Sequence, residues 1–217
     1  MKSSTTNILP EHFEIDRQSI TDRVYEHIKK LILAGYFKGG EKIPEERVAQ
    51  QLKVSRTPIR EALRRLEKYG LIYIKPRSYA VVVELKDEEI KQIGIVRLVL
   101  EKLAFQLLCD VISEEDIVFL EEIVDKCSEL HYKGCQAESF EMDSFFHLEI
   151  ARRSGNKHLY EILERLDAKV QLLRLRHNFP LQKFSQYIDQ HKKFILLLKE
   201  KKMDEIIPIL ENHIMHD

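Results

Sequence analysis

Two short β-prone runs, LIYIK (71–75) and AVVVEL (80–85), interrupt a chain whose apolar residues otherwise recur at helical spacing. What precedes them is brief. ITDRVYEHIKKLILA (20–34) places Ile20, Val24, Ile28, Ile32 and Leu33 on one face, with Gly35 as the stop signal. PEERVAQQL (44–52) predicts a short helix with Pro44 near its start, KVS (53–55) a tight turn, and residues 56–69 a third helix ended by Gly70. Ser55 or Thr57 can cap that third helix, and Pro58 is tolerated in its first turn, where a missing N–H costs little. The β-prone runs, joined by PRSY (76–79), predict a hairpin. Three helices followed by a hairpin make a winged helix-turn-helix.

From Asp87 onward the pattern is helical, with predicted helices at 88–109, 113–132, 137–154, 158–178, 184–200 and 203–215. Six helices of this length form a bundle able to hold a ligand in its interior. The expected fold is therefore mainly α. It divides into a polar N-terminal segment (1–19), a winged helix-turn-helix domain (20–85) and an all-helical domain (86–217).

The 217 residues are 44% hydrophobic and 33% charged, with few glycines and prolines, as suits a helical globular protein. No apolar run approaches the roughly 18 residues of a membrane span, and the first residues lack the apolar core of a signal peptide, so a cytoplasmic protein without membrane association is expected. Cys109, Cys127 and Cys135 are odd in number and lack CxxC spacing, which argues for thiols rather than a disulfide framework. The net charge of −1 conceals an asymmetry. Residues 1–85 hold 16 Lys and Arg against 11 Asp and Glu, and residues 86–217 hold 19 against 25. A basic head on an acidic body suits a head that meets a polyanion.

The third helix carries that idea furthest. Ile59, Ala62, Leu63 and Leu66 give it a face to bury, and Arg56 and Arg60 lie one turn apart near its start. Read alone, it is a solvated charged helix. After a helix and a turn, and before a hairpin, it is a recognition helix whose early residues enter the major groove. An arginine there can grip guanine O6 and N7 with two hydrogen bonds, while Ser55 and Thr57 and the free helix N–H groups can hold a phosphate. Arg64 lies later, suited to the DNA backbone, and Arg77 belongs to the wing.

In the second part, four residues of metal-ligand type lie on apolar helical stripes. Asp143 and His147 are one turn apart beside Phe146 and Ile150. His191 opens the apolar face of HKKFILLL, and His213 shares a face with Ile206, Leu210 and Ile214. Spacing leaves two readings, hydrogen-bonded core histidines or one ligand set.

The string IPEERVAQQL…VSRTPIREALRRLEKYGLI resembles the winged helix-turn-helix of the GntR family of bacterial transcription regulators over residues 20–82. The resemblance implies a homodimer on a roughly palindromic double-stranded DNA operator, with Arg56 and Arg60 at DNA-contacting positions. Two departures stand out. Glu46, followed by Arg47, occupies the place of a DNA-touching arginine in the family, and Tyr79 stands near the family's wing-tip glycine. Residues 88–215 resemble the FCD effector domain of the FadR subfamily, whose pattern is an Asp four before a His, then Ser-Gly-Asn (here 154–156), then two later His. The resemblance implies that Asp143, His147, His191 and His213 bind a divalent metal. Three imidazoles and a carboxylate suit zinc or nickel. It further implies a small carboxylate effector beside the metal, with Arg97 as the first candidate to bind it and Asn156, Arg174 and Arg176 behind it. Arg97 can instead form an i,i+4 ion pair with Glu101. The expected protein is a repressor and not an enzyme. The alternatives are a metal-dependent hydrolase with a DNA-binding head, and a regulator whose metal only braces the bundle.

Overall fold

The structure is a computed structural model that describes residues 19–76, 79–176 and 181–215, with only the backbone of Asp87, Leu175, Arg176 and Leu181. Arg77 and the side chain of Arg176 lie outside the described residues, as do the N-terminal segment before Ser19 and part of the PRSY turn.

The first helix, α1 (Ile20–Leu33), begins at a capping box in which Ser19 and Asp22 satisfy each other's backbone N–H groups. It closes at Gly35, whose φ of 76° favours glycine. Val24, Tyr25, Ile28, Ile32 and Leu33 are buried, but Ile20, read as part of the same stripe, is exposed. A two-residue strand, β1 (Lys42–Ile43), leads into α2 (Glu45–Leu52), and a turn through Lys53 leads to α3 (Arg56–Lys68). Strands β2 (Ile72–Ile74) and β3 (Ala80–Val82) form the expected antiparallel hairpin. β1 adds to the far side of β3, so the sheet runs β1-β3-β2. Strand β1 has no signature in the sequence, since two residues carry no alternation. Ile59, Ala62, Leu63 and Leu66 of α3 are at most 1% exposed and pack against α1 and the sheet.

The bundle consists of α4 (Asp87–Val111), α5 (Glu114–Tyr132), α6 (Gln136–Arg153), α7 (Lys157–Arg176), α8 (Leu181–Lys199) and α9 (Met203–Met215). Its core is built on Phe105, Phe140, Phe146, Phe184 and Phe194, all fully buried. The three cysteines are free thiols. Among the described residues no helix is long and apolar enough to cross a membrane.

The two parts share α7. Its Ala168 and Leu172 are buried in the core of the winged helix-turn-helix, together with Leu63 and Leu66. Lys169 lies against Gly70, where a Cβ would come within 2.9 Å of Lys169 Cε. Tyr69, which caps α3, hydrogen-bonds Glu164 of α7, and Glu164 also accepts from Tyr160 at 3.1 Å.

Candidate metal centre and DNA-reading face

Three helices deliver one cluster. Asp143 and His147 point inward from consecutive turns of α6, His191 from α8 and His213 from α9. All four are buried, His147 the most exposed at 4%. One donor atom from each lies within 4.8 Å of all the others. The Nε2 atoms form a near-equilateral triangle, with 3.0 Å between His147 and His213, 3.2 Å between His191 and His147, and 3.3 Å between His191 and His213.

Neighbouring oxygens favour one tautomer in two of the rings. His147 Nδ1 lies 2.7 Å from Glu101 Oε2, the distance of an ion pair though without hydrogen-bond alignment. His213 Nδ1 lies 2.8 Å from Gln190 Oε1. With Nδ1 protonated toward these oxygens, both Nε2 atoms present bare lone pairs, 3.0 Å apart in a buried place. Two such lone pairs repel unless a cation lies between them. Zinc–nitrogen bonds of about 2.0–2.1 Å set ligand nitrogens about 3.3–3.4 Å apart at tetrahedral angles and about 2.8–3.0 Å apart at right angles, and the observed edges of 3.0–3.3 Å lie between the two. Asp143 Oδ1, with no hydrogen-bond partner, stands 3.5 Å from His191 Nε2, placed as a fourth donor. The residues present therefore fit a divalent ion of the zinc type.

The electrostatics agree. Burial pulls His191 down to about 3 against the opposing pull of Asp143, and burial with the neighbouring imidazoles pulls His213 well below its usual value. Both rings are neutral at pH 7, the form a metal needs. Burial pushes Asp143 up, but Arg174 foremost, and then the imidazoles, hold it well below the usual carboxylate range. Burial likewise opposes ionisation of Glu101, yet Arg97 and His147 bring it to about 2. Each carboxylate thus has its own arginine: Arg174 on Asp143 Oδ2, and Arg97 Nε on Glu101 Oε1 at 2.5 Å. A divalent ion would therefore add charge that neither carboxylate has left to offset, and Asp167, which faces the same cavity, has its carboxyl pushed up by burial.

Arg97, Glu101, His147, Leu148, Leu163 and Asp167 line a cavity beside the triangle with room for about one water, near 10 Å³. Arg97 thus both pairs with Glu101 and faces the cavity. Arg174 reaches the cluster through Asp143. Asn156 instead spends its Oδ1 on Leu159 N, capping α7. Sequence reasoning had Glu101 only as Arg97's neighbour at i+4, and it missed Gln190 and Asp167, whose partners are distant in the chain.

On the opposite part, Arg47, Ser55, Arg56, Thr57, Arg60 and Arg64 are exposed. Ser55 sits at the N-cap of α3 with no side-chain capping bond, which leaves its hydroxyl for another acceptor or donor. Arg60 Nε lies 3.1 Å from Glu45 Oε2. Arg65 is bound to Asp22 and stacked on Tyr25. In the wing, Tyr79 lies between Lys42 and Lys75, and its ring centroid is 3.9 Å from the Lys42 ammonium.

Helix, turn, exposed arginine-bearing helix and hairpin define a winged helix-turn-helix protein with a helical bundle attached. Residues 20–82 match the bacterial regulatory proteins of the gntR family, and residues 92–216 match the FCD domain. The chain belongs to the GntR family of bacterial transcription regulators, with the FCD-bearing architecture of the FadR subfamily. The uncharacterized HTH-type transcriptional regulator YdhC of Bacillus subtilis (strain 168) is 29% identical over 194 residues, 89% of this chain and 87% of that protein. The gluconate operon transcriptional repressor of Bacillus licheniformis is 29% identical over 219 residues, 98% of this chain and 89% of that protein. Among solved structures, Escherichia coli McbR/YncC superposes with a TM-score of 0.79 at 25% identity, covering 92% of this chain and 95% of that one. GntR-family regulators bind DNA operators, and repressors are among the relatives.

Proposed function

We propose that the protein is a homodimeric repressor whose operator affinity is set by a small carboxylate bound beside a divalent ion in the bundle. The convergence of three Nε2 atoms and one unpaired carboxylate oxygen carries this reading. Asp143, His147, His191 and His213 hold the ion, zinc or nickel by donor type. Once bound, it supplies concentrated positive charge that can take a carboxylate oxygen. Because Asp143 and Glu101 are already matched by Arg174 and Arg97, the site favours an added anion.

The cavity is too small for even the simplest carboxylate, so admitting one displaces its lining. Two of the lining residues, Leu163 and Asp167, belong to α7. On the same helix, Ala168 and Leu172 are embedded in the DNA-reading head, and Glu164 holds the end of α3 through Tyr69. Ligand binding and movement of the head are thereby coupled through one rigid element. A coupling of about 1–3 kcal/mol corresponds to a change of about 5–150-fold in operator affinity.

Fluorescence anisotropy on an operator duplex, titrated with a panel of small mono- and dicarboxylic acids, tests the reading. At least one acid is expected to shift the operator Kd about tenfold or more with metal-loaded protein and to lose that effect with His191→Ala. If folded His191→Ala responds to the same acid as the wild type does, the ion is a brace and the effector binds elsewhere.

The dimer interface is proposed on α4. Ile95, Val99 and Leu103 recur every fourth residue with Val96 beside them, and Val99 is 63% exposed. A bare apolar stripe on a long helix suits a second copy of the same helix, and a two-fold operator calls for such a pair. Val99→Lys is expected to convert the dimer to monomer in sedimentation velocity. A dimer that persists at micromolar concentration would place the interface on another face.

A further inference from the structure

On the DNA-reading face, Arg60 of α3 is paired with Glu45 of α2. Among the described residues, no ion pair holds Arg47, Arg56 or Arg64, whereas Arg60 Nε is fixed to Glu45 Oε2 at 3.1 Å. Arg60 remains 59% exposed in its side chain, but Glu45 is only 19% exposed. Glu45 sits in the first turn of α2, where the helix N-terminus favours a carboxylate, and Pro44 at the N-cap gives no side-chain cap. The carboxylate is therefore the anchored partner and the guanidinium the aimed one.

A carboxylate on a surface that meets phosphates has a cost, because it opposes the polyanion on every sequence alike. A head that needed only backbone affinity would do better without it. What Glu45 gives in exchange follows from guanidinium geometry. Holding Nε–H leaves the four N–H groups of the two terminal nitrogens, and a two-bond grip on guanine O6 and N7 needs two of them. Fixing one edge in advance also removes much of the rotamer freedom that a long side chain would otherwise lose on binding.

We propose that Glu45 is a specificity-determining positioning residue. It orients Arg60 for base readout, and it raises discrimination between operator and other DNA while lowering affinity for DNA in general. This rests on the proposed contact between Arg60 and a base pair.

The test measures anisotropy of the full-length protein on two duplexes, an operator recovered by selection from random sequence and a scrambled duplex of equal length. Wild type is compared with Glu45→Ala, Glu45→Gln, Arg60→Ala and the double variant Glu45→Ala/Arg60→Ala. Glu45→Ala is expected to bind the scrambled duplex more tightly and to lose about tenfold in the operator-to-scrambled ratio, within the range set by one bidentate base contact. Glu45→Gln, whose amide oxygen can still accept from Arg60 Nε, is expected to bind scrambled DNA more tightly while keeping most of the ratio. In the Arg60→Ala background, Glu45→Ala should leave the ratio unchanged. Equal tightening on both duplexes would make Glu45 a simple repeller, and equal weakening or no change would make the pair purely structural. Either result overturns the proposal. If Arg60→Ala alone keeps the full ratio, the contact on which the proposal rests is absent and the proposal falls with it. If Arg60→Ala loses the ratio and Glu45→Ala does not, only Glu45's role is refuted.

Discussion

Replacing Arg56 and Arg60 together with alanine is expected to abolish operator binding and to leave the protein folded. Both side chains are exposed on the first two turns of α3, along the edge of the stripe that buries Ile59, Ala62, Leu63 and Leu66. The buried face holds the helix in the head, so the exposed face can change without loss of packing. Two bidentate base contacts are worth about 1–3 kcal/mol each in discrimination, while specific sites exceed non-specific ones by about 4–10 kcal/mol in total. Losing both contacts therefore removes a large share of the margin that separates an operator from bulk DNA. Exposed substitutions typically change stability by no more than about 0.5 kcal/mol, and the Arg60–Glu45 pair, more than half exposed on the arginine side, adds little to folding. A gel shift together with circular dichroism separates the two effects. Operator binding that survives both changes would mean that α3 does not read the duplex.

The second large effect concerns the ion. Stripping metal with a chelator is expected to lower the thermal midpoint of the wild type substantially, because the stripped site leaves three ring nitrogens crowded within 3.3 Å of one another and Asp143 Oδ1 without a hydrogen bond in a dry interior. An ion present at about a thousand times its Kd stabilises the folded state by about 4 kcal/mol, which for a chain of this size corresponds to roughly 10 °C. The triangle joins α6, α8 and α9, so its loss loosens the bundle and not one loop. His191→Ala removes one of the three nitrogens, and its midpoint should respond little to the same chelator. Differential scanning calorimetry on the two proteins, each with and without chelator, reads the difference directly.

Much of the fold was legible because its elements are long and strongly periodic. The helix predicted at 113–132 is found at Glu114–Tyr132, and that predicted at 203–215 at Met203–Met215. The hairpin was legible from β-branched runs flanking a turn. Strand β1 was not, because two residues against β3 leave no pattern to find. The four residues of the cluster could be picked out individually, each on an apolar stripe, but stripe position says only that a side chain points inward. Their convergence came from resemblance to a family, and the structure brings them together. The partners that fix the rings, Glu101 and Gln190, were invisible as such because their contacts join different helices. The double role of α7 was equally hidden. Ala168 and Leu172 lie in a helix that the sequence assigns to the bundle, yet they complete the core of the head. The Glu45–Arg60 pair spans 15 residues and a turn, beyond any helical spacing rule.

Regulation through the bundle, as proposed, requires that the imidazole triangle hold a cation. Elemental analysis of protein purified without chelator or affinity metal measures this most directly. One transition-metal ion of the zinc or nickel type per chain is expected in the wild type and almost none in folded His191→Ala. A wild-type protein that stays metal-free after dialysis against zinc and nickel, or a His191→Ala protein that keeps a full equivalent, would contradict it.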